Sequence, residues 1–600
     1  MAAWGYRPED ALIFLRATRR KKNGKLHRYW SVVDSRRLPS GRGVQKTLLY
    51  LGELNDSQHA GWCTTIDATV GNVATQLALF PSDRTPPPGL PSVQVRMDEL
   101  SLHRPRQWGA CWLAVLLWNQ LKLDEFWGPL LPPSREGTNW LNVLKTLTAY
   151  RLIDPGSEWR LHRLWFDRRA MGNLLAEDFG LVAKDKLYRC LDKLVEHKAA
   201  LFDHLKGRWT DLFDAKFEVL LYDLTSTYFE CDAPPAGSDG LRRHGYSRDK
   251  RPDCVQVVIA LIVTPDGYPL AYEVMKGNTA DNTTLPQFLE TIEQQYGKAG
   301  RIWIMDRGIP TEETLEQMRA SETPVHYLVG TPKGRLSQLE QSFLGKDWHK
   351  AKDNVSVKLH PVGDELYVLA LSDERVHKER GMRRRKLKKL WKRLHELKRM
   401  KQTREELLMR LGAARKEAGR TWSLVEIETN GAFAFRLNTK KLREARLREG
   451  RYLLRTNLTA NDPAHLWRLY IQLTEIEQAF KEIKNDLGLR PIHHQTDERI
   501  QAHIFVAFLS YCLLVTLKAR LRRHAGGLTP RSVLEELKAI QMLDIKAPTT
   551  DGKCLTLTRY TQPDAAQQMI LAQLGLKLPP QPPPRIASPV PENDAFVVKT

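Results

Sequence analysis

The sequence predicts a mixed α/β fold: a core of alternating strands and helices, interrupted by an inserted subdomain and preceded by a β-rich and a helical region. Three observations carry that prediction. Short apolar, β-prone runs at 217–224, 255–263, 268–275, 301–305 and 325–329 recur with turns or a helix between them. A dense basic segment from Arg375 to Arg420 then breaks the pattern. A further strand at 452–458 resumes it and leads into a long amphipathic helix.

Taken in order, residues 1–100 read as strands and turns, with β-prone runs at 29–33 and 46–51. Turns fall around Asn23-Gly24 and at 40–43, and Pro86–Pro88 closes the region as a linker. Residues 101–210 read as helical, basic and aromatic, either a DNA-docking module or a scaffold. The core begins at 211–330, where Thr264-Pro-Asp-Gly267 is a hairpin turn and 311–319 a helix. Residues 331–450 form the insertion. Between Arg375 and Arg420 it carries 19 Lys and Arg against 5 Glu, a ratio that fits a DNA-tracking helix or a solvated helical hairpin. Leu387, Leu390, Leu394, Leu397, Leu408 and Leu411 fall on its a and d heptad positions. Residues 451–525 return to the core, with Asp462-Pro463 as cap and first residue of the long helix. Residues 526–600 end in a Pro-rich segment, 578–590, expected to be a flexible tail.

Lys and Arg number 92 and Asp and Glu 70, a formal net charge of +22 that draws the chain to polyanions, nucleic acids above all. The seven cysteines show no Cys-x-x-Cys pair, which argues against a zinc ribbon or a disulfide framework and fits a reducing cytoplasm. The start, Met-Ala-Ala-Trp-Gly-Tyr-Arg, lacks an apolar signal core. The apolar run 504–517 falls short of the ~20 residues that a membrane span needs and reads as a buried helix.

Three carboxylates stand out. Asp223 ends an apolar strand in Leu220-Leu-Tyr-Asp-Leu-Thr-Ser-Thr227, and Asp306 follows the strand Ile302-Trp-Ile-Met305. Adjacent strands would set the two side by side, where they repel unless a divalent cation neutralises them. Each also reads as an ordinary strand-end Asp. Glu477 lies on the long helix, whose buried stripe is Leu466, Leu469, Leu473, Ile476, Phe480, Ile483 and Leu487. It sits one position, about 100°, off that stripe, and Tyr470 and Lys484, seven residues either side, share its face. A solvated flank is the alternative reading.

The pattern Tyr470-x2-Leu473-x3-Glu477-x6-Lys484 resembles the Tyr-Arg-Glu-Lys signature of a large group of insertion-sequence DDE transposases. The blocks Tyr222-Asp-Leu-Thr-Ser-Thr227, Gly245-Tyr-Ser-Arg-Asp-Lys-Arg-Pro-Asp253, Gly277-Asn-Thr-Ala-Asp281, Met305-Asp-Arg-Gly308 and Leu489-Arg-Pro-Ile-His-His-Gln495 are similar to that group's other blocks, in the same order. The family's Arg position holds Leu473 here, so another residue must handle the DNA end, or the contact differs.

The resemblance implies a ribonuclease-H-like core and a DNA transposase that binds terminal inverted repeats and cleaves and joins DNA strands. It implies Asp223, Asp306 and Glu477 as catalytic residues and ligands of two Mg2+ ions, with Mn2+ as substitute. Tyr470, Lys484, Arg307, Arg248, Arg251, Arg383, Arg384, Arg385 and Lys386 are the expected DNA contacts. His493, His494 and His503 are expected to be structural. The partners would be double-stranded DNA, both terminal repeats and target, and a second copy of the chain in the synaptic complex, within a prokaryotic nucleoid. A ribonuclease-H-like nuclease without strand transfer, or an inactive transposase-derived DNA-binding protein, are the competing readings.

Overall fold

The computed structural model describes residues 12–22, 25–37, 43–55, 58–63, 65–66, 93–235, 239–297, 300–321, 323, 325–331, 339, 341–343, 346–430, 433–459 and 462–587. The expected turns at Asn23-Gly24 and 40–43 and the Pro86–Pro88 linker lie wholly or mostly outside them.

Strands β1 (Leu12–Lys22), β2 (Lys25–Arg37) and β3 (Gly43–Gly52) make an antiparallel sheet of their own. The region expected to be helical opens instead on a strand, β4 (Ser101–Gln107). The reason is a long-range partner that local periodicity does not reveal. β4 pairs with a C-terminal strand, and Arg106, buried, closes a two-pronged salt bridge on Asp544 there. Helices α1 (Gly109–Gln120), α2 (Trp140–Ile153) and α3 (Lys198–Phe213) follow.

The central sheet has nine strands. β5 (Val219–Tyr228), β6 (Gln256–Val263) and β7 (Pro269–Lys276) form an antiparallel meander. Its β6–β7 turn closes as expected, with Gly267 at φ +91° donating to the Thr264 carbonyl at 2.8 Å. β8 (Ile302–Met305) and β9 (His326–Gly330) add in parallel on the other side of β5, linked by α4 (Glu312–Ala320), which Thr311 caps. Then β10 (His349–Lys352), β11 (Val355–Val362) and β12 (Glu365–Ser372) continue the same sheet. The strand order is β10-β11-β12-β15-β9-β8-β5-β6-β7, where β15 is Arg451–Thr456. These three strands fall in the stretch expected to be an insertion; only what lies between β12 and β15 stands apart from the sheet.

That part is a helical hairpin, α5 (Asp373–Arg399) and α6 (Arg404–Ala418), with a small ribbon of β13 (Val425–Glu428) and β14 (Ala434–Leu437). Leu390, Leu394, Leu397 and Leu411 are buried in its seam. Leu408 is exposed, contrary to the heptad expectation, and Leu407 packs in its place: the turn at 400–403 resets the register that a continuous heptad assumes.

The long helix expected after Asp462 is broken. α7 (Pro463–Ile471) ends in a tight turn in which Gln472 N–H donates to the Leu469 carbonyl, α8 (Leu473–Lys481) resumes, and a π-turn follows at Glu482–Asp486. All seven stripe residues are nonetheless buried. The apolar run 504–517 lies in α9 (Asp497–His524), long and apolar enough to cross a membrane but enclosed by the protein, its Ser510 and Tyr511 hydroxyls donating to Thr148 and Gly267 carbonyls. The C-terminal strands β16 (Gln541–Pro548), β17 (Cys554–Tyr560) and β18 (Arg585–Ala587) complete the β4 sheet. The described part of the Pro-rich segment, 578–587, is held rather than free: β18 pairs with β17, and Gln581 and Tyr560 exchange hydrogen bonds.

Candidate active site

Strand register brings the first two carboxylates together. β5 and β8 run parallel with Tyr222 opposite Met305, so Asp223 and Asp306 are the next residues along neighbouring strands. β8 and β9 pair Met305 with Val329, which sets Gly330 beside Asp306. A Cβ on Gly330 would lie 3.0 Å from the Tyr470 hydroxyl and 3.3 Å from Asp306 Oδ1. The strand end is therefore crowded by the Tyr470 hydroxyl, the Arg307 N–H and the Asp306 carboxylate together. Arg307 N–H donates to Asp306 Oδ1 at 2.7 Å and fixes its orientation.

The third carboxylate comes from α8. Ile476, Ala479 and Phe480 bury one face of this helix, which packs on β5 and β6. Glu477 points off that face, and Asp223, Asp306, Glu477, Tyr470, Arg375 and Lys378 line one cavity of about 480 Å3. Burial pushes the Asp223 carboxyl up to about 7; the Leu224 N–H and the Arg248 charge oppose the rise, and the charges of Asp306 and Glu477 add to it. Burial and the Asp306 charge likewise raise the Tyr470 phenol. The three carboxylates thus repel one another across a shared space.

Backbone packing anchors the loops beside this cavity. A Cβ on Gly245 would sit 2.0 Å from the Gly277 carbonyl oxygen, and one on Gly277 2.0 Å from the Gln256 carbonyl oxygen. Only glycine allows this approach. Gln256 Nε2 donates to the carbonyls of both Tyr246 and Gly277, which ties the loops together. Arg248 pairs with Asp281 at 2.5 Å, and its N–H reaches Ser226 Oγ on β5.

The expected DNA contacts separate into two groups. Tyr470 and Arg307 line the cavity, and Arg384, Arg385 and Lys386 are exposed on α5. The others already have protein partners. Lys484, in the π-turn, is buried against Asp249 at 2.9 Å, which Arg490 also holds at 2.5 Å. Burial lowers the Lys484 ammonium, opposed by Asp249. The face shared with Tyr470 and Glu477 requires an unbroken helix, and the break at Gln472 and the π-turn remove that premise. Arg251 pairs with Glu230 and Asp253, and Arg383 is half-buried in a pair with Glu449. Asp249 and Asp281 stand inside the sequence blocks 245–253 and 277–281, where no local pattern marks them as partners of Lys484 and Arg248; Arg375 and Lys378 carry no sequence signal beyond their basic run.

A second titratable cluster lies elsewhere. Glu158, His494 and His503 are buried with ligand atoms within 4.8 Å of one another, an arrangement that could hold a metal ion. The Arg151 guanidinium is also there, 3.6 Å from Glu158 and donating to His503 Nδ1 and the Gly488 carbonyl. Burial and the Arg151 charge push His503 down to about 4. Burial alone would raise Glu158, but the two imidazoles and Arg151 hold it well below the usual range. This cluster has an internal cation; among the described residues, no cation pairs with the three cavity carboxylates within hydrogen-bond reach, Arg248 acting on Asp223 only through its charge.

An all-oxygen, mutually repelling carboxylate set suits a hard divalent cation. Residues 227–513 match the family described as the transposase DDE domain. That match supports a DDE transposase, an enzyme class that acts on DNA by cleavage and transfer and generally uses divalent metals. Asp306 and Glu477 lie inside the matched span, and Asp223 just before it. No curated protein matches the chain. Among solved structures, the chain is similar to a piggyBac transposase in a synaptic complex with hairpin DNA, at 8% identity and a TM-score of 0.35, covering 71% of this chain and 79% of that one.

Proposed function

We propose that this protein is a DDE DNA transposase of the Tyr-Arg-Glu-Lys insertion-sequence group that binds terminal inverted repeats and cleaves and transfers DNA strands. The observation that carries the reading is the convergence of Asp223, Asp306 and Glu477 on one cavity without a neutralising partner. The run β7-β6-β5-β8-β9, antiparallel on one side of β5 and parallel on the other, supports a ribonuclease-H-like core.

In this reading Asp223, Asp306 and Glu477 would together hold two divalent ions. Bound Mg2+, or Mn2+ in its place, supplies Lewis-acid activation of the attacking oxygen and stabilisation of the leaving one. The protein's own contribution is positioning. The β5–β8 register sets the spacing of the two aspartates, Arg307 N–H orients Asp306, and the buried face of α8 presents Glu477. Tyr470 covers the cavity beside Gly330. Exposed Arg384, Arg385 and Lys386 extend a basic surface for DNA phosphates. Joining two ends implies two copies of the chain in the synaptic complex.

The test uses a duplex bearing the inverted repeats that flank the gene, a target plasmid and Mg2+. The wild-type protein is expected to nick the repeat end and join it to the plasmid. Asp223→Asn, Asp306→Asn and Glu477→Gln are expected to lose both activities and keep DNA binding. Wild-type cleavage by any one of them removes that residue from the site, and cleavage without joining makes the protein a nuclease.

A further inference from the structure

The signature's arginine position is Leu473, which lines the cavity as an apolar side chain and offers nothing to a phosphate. The signature lysine does not replace it, because Lys484 is buried on Asp249. Arg248 is committed to Asp281. Arg375 lines the cavity, but Glu379 at 2.9 Å and the Tyr452 hydroxyl hold its guanidinium, which stacks 4.0 Å from the centre of the Tyr452 ring. Arg307 lines this cavity but not the groove that adjoins it.

Lys378 differs from all of these. It lies three residues beyond Arg375 on the same face of α5 and is exposed. It lines the carboxylate cavity and also a wider groove of about 1350 Å3, whose other wall carries His27 and Tyr29 of β2. Among the described residues no carboxylate pairs with it within salt-bridge distance, although Glu379 is its neighbour in sequence. An ammonium on a flexible four-carbon stem, at the point where the carboxylate cavity adjoins the groove, can meet a strand leaving the cavity.

Building on the transposase reading, we propose that Lys378 is a positioning residue for DNA. It binds the phosphate next to the one facing Asp223, Asp306 and Glu477, and supplies from α5 the cation that Leu473 does not. The contact is to the backbone and independent of base sequence.

The experiment measures binding of a labelled terminal-repeat duplex with Ca2+ in place of Mg2+, and cleavage with Mg2+, for Lys378→Ala, Lys378→Arg and Asp223→Asn. Lys378→Ala is expected to shrink the slope of log affinity against log salt by about 0.9. It should lower kcat about tenfold without altering the Mg2+ concentration required. Lys378→Arg should restore most of both. A neutral methylphosphonate at the adjoining phosphate should reproduce the loss in the wild type and add nothing to Lys378→Ala. A wild-type salt slope and kcat in Lys378→Ala, with Asp223→Asn inactive, overturns the assignment and leaves the transposase reading standing. Wild-type cleavage by Asp223→Asn overturns both.

Discussion

Two groups of acidic side chains in this protein, one buried and one largely exposed, have opposite electrostatics. Around Glu158 a carboxylate, two imidazoles and a guanidinium share a buried pocket, and the charge is balanced from within. Around Asp223 three carboxylates share a cavity, and the balance must come from outside. The first holds its acid well below the ordinary range and the second pushes its acid up. The difference lies in one residue type: Arg151 points into the first, and every basic side chain near the second is tied elsewhere or stands at its rim. An acidic cluster that carries its own cation is satisfied as it stands; one that lacks it is a candidate for binding a cation.

Breaking the balanced cluster should have the largest effect on stability. Glu158→Gln leaves the Arg151 guanidinium buried without its charge partner, and is expected to cost about 4 kcal/mol in urea unfolding. A cost below about 1 kcal/mol would show that Arg151 needs no carboxylate.

Relieving the unbalanced cluster should act in the opposite direction. The folded Asp223 carboxyl sits near 7, above its unfolded value, so stability from this group is present at acid pH and lost as pH rises through about 7. Asp223→Asn removes that loss. Without metal, the variant should melt above the wild type by an amount worth about 2 kcal/mol at pH 8 and less at pH 5. Added Mg2+ should stabilise the wild type and not the variant. A variant less stable than the wild type at pH 8 would mean that Asp223 already has a partner.

Lys484 sharpens the contrast, because it stands near the cavity yet behaves like the balanced cluster. Lys484→Ala should destabilise by about 1.5 kcal/mol, since Arg490 still holds Asp249. Combined with Asp249→Asn, the cost should be less than the sum of the two single changes in a double-mutant cycle. Additive costs would separate the pair.

The smallest effect concerns the rim of the hairpin. Changing Arg384, Arg385 and Lys386 to Gln should leave the melting temperature unchanged and reduce the salt slope of DNA binding by about 0.9 for each that touches phosphate. Arg383→Gln should instead destabilise the hairpin, because it leaves Glu449 with Arg380 as its remaining partner, at 3.5 Å. An unchanged slope in the triple variant marks the run as a solvated face.

Much of the site was legible because its signals are local. A carboxylate that follows an apolar run is visible in Tyr222-Asp223 and Met305-Asp306, although Asp223 lies within β5 rather than at its end, because Leu224 to Tyr228 continue the pairing with β6. The Thr264-to-Gly267 turn and the Asp462 cap lie where their residue types require. The stripe from Leu466 to Leu487 identified the buried face even though the helix breaks twice, because burial follows spacing over single turns. Lys484 was misread for the same reason: a seven-residue spacing keeps a common face only along a straight helix, and its Asp249 partner lies 235 residues away. The strands β10, β11 and β12 looked like insertion because joining a sheet depends on a distant partner, β15. Leu408 shifted because a turn between helices resets the heptad.

The most direct test of the contrast between the clusters is Mn2+ binding followed by electron paramagnetic resonance in the purified protein. The expected result is binding that disappears in Asp223→Asn, Asp306→Asn and Glu477→Gln and persists in His503→Ala. Binding that survives all three carboxylate changes and is lost in His503→Ala would place the cation at the Glu158 cluster and contradict the account.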